Sequence, residues 1–183
     1  MANTAVIYKS QYGSTRKYAM HIASSLKADI YDLDRVKKFE FDKYDTIIFG
    51  GGLYAGKIKG IGFLASNVSR LAGKNLIVFT TGIGDPGTAS AAQQISKSLG
   101  KALPKELMKS VHLYCFRGGI DYGKLSLIHR IMMSMLHSML AKKKEEELSK
   151  DDRDILDAYG SAVDYTNLSS ASPLIEYVNI ISR

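Results

Sequence analysis

The feature that most limits how this chain can fold is a set of short apolar runs that do not alternate with polar residues. Val6-Ile7-Tyr8, Ile47-Ile48-Phe49 and Leu76-Ile77-Val78-Phe79 are apolar at consecutive positions. Successive side chains of a strand point to opposite faces, so an unbroken apolar run needs both faces covered, as inside a parallel sheet. Five β-rich runs are expected, at residues 4–8, 28–33, 45–50, 75–80 and 111–116. Helical periodicity lies between most of them. Ala19, Ile22, Ala23 and Leu26 share a face, as do Ile61, Leu64, Val68 and Leu71, and then Ala91, Ala92, Ile95 and Leu99. Near the end Ile155, Tyr159 and Val163 repeat at i+4, with Ser149 or Asp151 as the cap. Only residues 34–44 separate the second and third runs, so that crossover is expected to be short or irregular. The alternation predicts an α/β fold, a doubly wound parallel sheet with helices on both faces.

A length of 183 residues suits one domain with a substantial core. The domain is expected over residues 1–166. Residues 167–183 form a tail, Ser-Ser-Ala-Ser-Pro and then an apolar end, that packs back on the domain or on another subunit. The chain contains no apolar run long enough to span a bilayer, and its first residues lack the basic and apolar pattern of a signal peptide, so a cytoplasmic protein is expected. The net charge of +7 favours acidic partners, but the basic residues are scattered. The one dense block, Lys142-Lys143-Lys144-Glu145-Glu146-Glu147, pairs opposite signs at i,i+3 and reads as a solvated face, so no nucleic-acid partner is expected. Cys115 is the only cysteine and lies in an apolar run. It reads as a core residue rather than a redox thiol, and no metal cluster is expected.

In an open parallel sheet ligands bind beyond the carboxyl ends of the strands, so the loops after the strands carry the functional information. The first strand is followed by Ser10-Gln11-Tyr12-Gly13-Ser14-Thr15 and a helix. Hydroxyls and free N–H groups at a helix N-terminus suit a phosphate, and a helix cap with no ligand is the plain alternative. Glycine-rich loops follow the third and fourth strands, Gly50 to Gly56 around Tyr54 and Thr80 to Gly87. Gly82, Gly84 and Gly87 match a dinucleotide fingerprint in spacing, but they follow the fourth strand and enclose Pro86. Gly51, Gly56 and Lys57 nearly match a nucleotide-triphosphate loop, but Ile58 stands where a Mg²⁺-binding hydroxyl is needed. Taken together the three loops converge at one end of the sheet, where glycines let the backbone approach a flat ring and Tyr54 can cover one of its faces.

Ser10-x-Tyr12-Gly13-Ser14-Thr15 resembles the FMN phosphate loop of flavodoxins. The layout over about residues 4–165 resembles the flavodoxin-domain group that includes menaquinone-dependent protoporphyrinogen oxidase. Phe116-Arg117-Gly118-Gly119-Ile120-Asp121-Tyr122 and the apolar helix after it favour that group. The resemblance implies a five-stranded flavodoxin-like sheet in the order 2-1-3-4-5, with an extra apolar helix after the fifth strand. It implies Ser10, Tyr12, Gly13, Ser14 and Thr15 on the FMN phosphate. Around the isoalloxazine it implies Gly52, Leu53, Tyr54, Ala55, Thr81, Gly82, Ile83 and Gly84. Asp85, Arg117 and Gly118 stand beside them as further cofactor-binding candidates, with Asp85 alternatively a turn residue and Arg117 alternatively a surface ion pair. The function implied is that of an FMN-dependent oxidoreductase with a quinone, a porphyrin precursor or a redox protein as partner. A flavodoxin-type electron carrier and a non-enzymatic binding module are the alternatives. The chain has no tryptophan to stack on a flavin.

Ile128, Ile131, Met132, Met135, Leu136, Met139 and Leu140 follow helical periodicity without a gap. Residues 125–140 therefore admit three readings: a helix packed on the sheet, a homodimer or partner interface, or peripheral membrane contact. His129 and His137 read as surface residues, because a spacing of eight does not bring them together as a metal pair.

Overall fold

The computed structural model describes residues 3–182 except Ala55 and Thr88. Five parallel strands form its sheet: β1 (Thr4–Lys9), β2 (Asp29–Asp32), β3 (Thr46–Tyr54), β5 (Asn75–Gly82) and β6 (Val111–Arg117), in the order β2-β1-β3-β5-β6. A two-residue strand, β4 (Lys57–Ile58), pairs antiparallel with the end of β3. Without β4 the order is the 2-1-3-4-5 of the expected doubly wound sheet. The continuous apolar runs sort by alternation onto two faces. Ala5, Ile7, Ile47, Phe49, Leu76 and Val78 point to one layer of core, and Val6, Tyr8, Ile48, Ile77 and Phe79 to the other.

The first layer is covered by α2 (Gly62–Ala65), α3 (Val68–Leu71), α4 (Ala89–Ala102) and α5 (Lys105–Met108), which bury Leu64, Leu71, Ile95, Leu99, Leu103 and Leu107. The helix expected around Ile61 to Leu71 is two short helices, broken where Asn67 leaves helical geometry. The short crossover after β2 holds a single 3₁₀ turn, Phe41–Lys43, and the aromatic residues Phe39, Phe41 and Tyr44, which cluster with Phe63 of α2, in place of a helix. The second layer is covered by α1 (Ser14–Leu26), which buries Tyr18, Ala19, Ile22 and Ala23, and by α8 (Ser172–Ile181), which buries Leu174 and Val178. The segment read as a tail is therefore the last helix of the sandwich.

Between β6 and α8 the chain makes an excursion. It runs through β7 (Gly119–Asp121), α6 (Leu127–Leu140), α7 (Lys150–Ala158) and β8 (Ala162–Asp164), and β7 and β8 pair antiparallel apart from the main sheet. Ile120, Tyr122, Leu125 and Ala158 give it a small core of its own. Ser126 caps α6 by accepting from the His129 N–H, and Ser149 forms a capping box with Asp152 at the start of α7. The i+4 repeat of Ile155, Tyr159 and Val163 does not continue as one helix. It stops at Ala158, Gly160 takes the left-handed region (φ 76°), and Val163 lies in β8.

Candidate functional site

The register of the sheet brings the loops together. Tyr8 lies beside Gly50, Gly52 beside Thr81, and Gly82 beside Arg117, so the chain leaves β1, β3, β5 and β6 at the same end. A cavity of about 480 Å³ opens there. One part is lined by Tyr12, Ser14, Thr15, Leu53, Tyr54, Thr81, Gly82, Ile83, Gly84 and Gly118. The other is lined by the excursion: Ile120, Leu125, His129, Met132, Met133, Leu136, Met139 and Leu140, with Ile155 and the polar trio Lys143, Ser149 and Asp152. A second hollow of about 400 Å³ lies against β2, between Tyr8, Arg16, Met20, Ile30 and Arg35.

Gly13 heads α1 at φ 102°, a conformation that only glycine adopts without strain. The loop folds on its own hydroxyls. Ser10 Oγ accepts from the N–H groups of Gly13 and Arg16, both at 3.2 Å. Two donors at a helix start thus converge on one oxygen, as they would on an anion oxygen. Ser14 Oγ accepts from the Gly119 N–H (3.0 Å), and Thr15 Oγ1 lies 2.8 Å from Thr81 Oγ1. These bonds join the phosphate-type loop to the end of β5 and to Gly119, just after β6. Gly118 closes the joint, because a Cβ there would stand 2.9 Å from Ser14 Cβ.

Tyr54 folds back over its own strand. A Cβ on Gly52 would meet its ring at 2.6 Å, so Gly52 serves the site by leaving room for Tyr54 and not by lining the cavity. Burial, with Tyr12 nearby, pushes the Tyr54 hydroxyl up to about 12. Its ring lies parallel to the His129 imidazole (3°, centroids 5.3 Å apart), and Tyr12 meets both rings edge-on. That spacing leaves no room for a flat ligand between Tyr54 and His129, which form one wall of the cavity.

Ser10 and Gly13 shape the loop from behind. Arg117 does not face the cavity: its guanidinium bonds the Ile83 carbonyl (3.2 Å), pairs with Asp154, and lies 4.1 Å from the centre of the Tyr165 ring. It therefore fixes the 81–84 loop to α7. Asp85 is outside the lining and accepts from Lys150 Nζ (2.9 Å) and the Gly87 N–H. Those bonds, Lys150 first, hold its carboxyl below the usual range. Ala55, and the side chains of Ala91 and Asp151, lie outside the described residues. Cys115 is half-buried and lines the cavity, with burial raising its thiol pKa. At the far end Lys143 lies 3.1 Å from Asp152. Burial works against the Asp152 carboxylate, but Lys143 and Ser149 more than offset it and lower its pKa.

Sequence reasoning missed the excursion's contribution. His129, read as a surface residue, is half-buried in the wall, and α6 does not pack on the sheet. Its inner side, Met132, Met133, Leu136 and Leu140, roofs the cavity, while Leu127, Ile128 and Met135 are about 70% exposed. The gapless apolar periodicity was the available signal. Among the described residues no group of side chains could hold a metal ion, and no helix is long and apolar enough to cross a membrane.

The model of the flavodoxin domain family matches residues 5–147. The chain belongs to that family. One relative is an uncharacterized protein of Methanocaldococcus jannaschii, 32% identical over 124 residues, which are 67% of this chain and 79% of the relative. Two solved structures are similar at lower identity. The WrbA-like flavodoxin of Agrobacterium tumefaciens is 17% identical with a TM-score of 0.47, over 70% of this chain and 88% of that one. A Lactobacillus acidophilus flavoprotein, solved in complex with FMN, is 16% identical with a TM-score of 0.47, over 64% and 93%.

Proposed function

We propose that this flavodoxin-domain protein binds FMN in the 480 Å³ cavity and acts as an oxidoreductase whose electron acceptor, of the quinone class, enters against α6. One observation carries the reading. The phosphate-type loop and the methionine-lined roof border the same cavity, so a cofactor held by the first lies against a ligand held by the second. The site fits FMN by its own chemistry. Donors at the head of α1 suit the phosphate, the glycines at 82 and 84 permit close backbone approach, and Leu53, Ile83 and Tyr54 supply apolar walls for the ring. FMN would supply the redox chemistry when bound, while the protein sets its environment by burial and backbone hydrogen bonds. The roof distinguishes this reading from that of a simple electron carrier. Methionines line an apolar chamber of adaptable shape, which suits a small apolar acceptor better than docking of a protein at a bare ring edge.

The test is a titration of the purified chain with FMN, followed by visible absorption and flavin fluorescence, and then photoreduction of the bound FMN and its repeated reoxidation by a water-soluble quinone. Perturbed flavin bands with quinone turnover are expected. FMN binding without turnover favours the carrier, and no binding at micromolar FMN defeats the reading, leaving a flavodoxin-domain binding module.

A further inference from the structure

Tyr12 Oη has three neighbours: the Ser126 N–H at 3.2 Å, Gln11 Nε2 at 3.3 Å and His129 Nδ1 at 2.5 Å. A phenol carries one hydrogen and two lone pairs. The Ser126 and Gln11 nitrogens donate, and they fill the lone pairs. The hydroxyl hydrogen is left for His129 Nδ1, which must then be the bare nitrogen. With the Gln11 amide so oriented, the ring hydrogen sits on Nε2, the tautomer being set by the bond its other nitrogen makes. No protein partner for Nε2 occurs among the described residues, and His129 stands in the cavity wall between Tyr54 and the methionine roof. The wall thus holds an N–H donor with nothing yet to donate to.

We propose that His129 is the hydrogen-bond and proton donor of this cavity, acting from Nε2 on an acceptor oxygen of the molecule being reduced. The role rests on the functional reading above and names the group that completes it. Reduction of a quinone to a quinol takes up two electrons and two protons. Bound FMN in its reduced form would supply both electrons and one proton. The other proton is the one His129 gives up from Nε2 to the quinol oxygen. The Tyr12 hydroxyl hydrogen passes to Nδ1 as it leaves, while Ser126 and Gln11 hold the Tyr12 oxygen; water then supplies a proton to Nε2 and the Nδ1 hydrogen returns to Tyr12, which restores the donor. Tyr12 belongs to the phosphate-type loop and Ser126 caps α6, so the same hydrogen bonds fix the roof to the cofactor end of the site.

Two measurements on the full chain decide the matter. Long-range ¹H–¹⁵N correlation spectra report the His129 tautomer without any cofactor. The Nε2–H form is expected in the wild type and a mixture of tautomers in Tyr12→Phe, while an Nδ1–H wild type overturns the proposal. Then wild type, His129→Leu and His129→Gln are loaded with FMN, reduced with light, and mixed with a water-soluble benzoquinone in a stopped-flow instrument. His129→Leu is expected to reoxidise at least tenfold more slowly with its FMN Kd within threefold of wild type. His129→Gln, which keeps an N–H near the place of Nε2, should recover part of the rate. A wild-type rate in His129→Leu, a Gln variant no faster than the Leu variant, or a loss of rate that follows a loss of FMN binding each overturns it. If the wild type fails to bind FMN, the functional reading falls and the role in quinone reduction falls with it, while the tautomer still shows whether the donor exists.

Discussion

A methyl group added at Gly118 should damage the site more than its size suggests. The Gly118 N–H donates to the Gly82 carbonyl at 2.7 Å, and its carbonyl accepts from the Tyr165 N–H at 3.2 Å, so the backbone is held on both sides. In Gly118→Ala the new Cβ would lie 2.9 Å from Ser14 Cβ and 3.0 Å from Ser14 Oγ, where ordinary contacts begin at 3.4 Å. Ser14 must yield by about half an ångström, and it is the first residue of α1. Overpacking of this kind costs about 1–3 kcal/mol. Weakening the bond from the Gly119 N–H to Ser14 Oγ adds about 1 kcal/mol. The smaller backbone entropy of the unfolded alanine chain returns about 0.4–1 kcal/mol. The net loss is about 2 kcal/mol, or roughly 4–8 °C in Tm for a domain of this size. Because Ser14 is displaced at the phosphate end, FMN affinity should fall at least tenfold, about 1.4 kcal/mol. Thermal unfolding and FMN titration measure the two effects. Gly62→Ala is the control, because its Cβ meets nothing within 4 Å and its backbone lies outside the left-handed region. If Gly118→Ala matches the wild type in both Tm and FMN affinity, the packing argument for the joint between these loops is wrong.

Tyr18→Phe removes a buried hydroxyl that donates to the Arg117 carbonyl (2.9 Å) and accepts from the Asn167 N–H (3.0 Å). Two backbone groups lose their partner, so unfolding in urea should show a loss of about 1–3 kcal/mol with FMN binding unchanged. Asp164 is held near pKa 2 by Lys17 first and also by the Thr166 backbone N–H, which donates to it at 3.0 Å. A carboxylate with a lowered folded pKa contributes stability above its unfolded value that is lost as pH falls through the folded one. Asp164→Asn should therefore lose less Tm than the wild type between pH 5 and about 2, and parallel pH profiles would count against the Lys17 pairing. Tyr54, raised to about 12 by burial, should ionise later than exposed tyrosines. Its contribution to stability is present below the unfolded tyrosine pKa and lost as pH rises through about 12. The step near pH 12 in an ultraviolet pH titration should be missing in Tyr54→Phe.

The parts of this molecule legible in its sequence are those where neighbours along the chain decide the outcome. Ile47-Ile48-Phe49 and its counterparts had to be strands covered on two sides, whatever covered them. The 10–15 loop had to be a hydroxyl-rich helix start, because Gly13 and the hydroxyls are adjacent. Where the outcome depended on distant segments, local signals were ambiguous. Ile155, Tyr159 and Val163 have helical spacing, but Gly160 breaks the helix and β7 captures Val163 as a partner. The helix that completes the second layer, α8, carries Pro173 in its first turn, in a stretch whose Ser-Ser-Ala-Ser-Pro composition resembles a linker.

Periodicity also says which side of a helix is apolar without saying what that side faces. In α6 the apolar arc covers more than one neighbour needs. Met132, Met133, Leu136 and Leu140 turn to the cavity, while Leu127, Ile128, Ile131 and Met135 turn outward, and Arg130, Ser134 and His137 occupy the remaining side. A helix packed on the sheet would present the same pattern, which is why the roof could not be read in advance. The case of His129 is sharper. Nothing within its own helix distinguishes it from a solvated residue, and its role arises from a bond to Tyr12, 117 positions earlier. The histidine gains a defined tautomer only because Ser126 and Gln11 have already filled the Tyr12 oxygen. A chemical property of one ring is thus set by three other residues, two of them in the loop after β1. Reasoning from sequence alone can find the groups, but only the folded backbone decides which of them a proton can pass between.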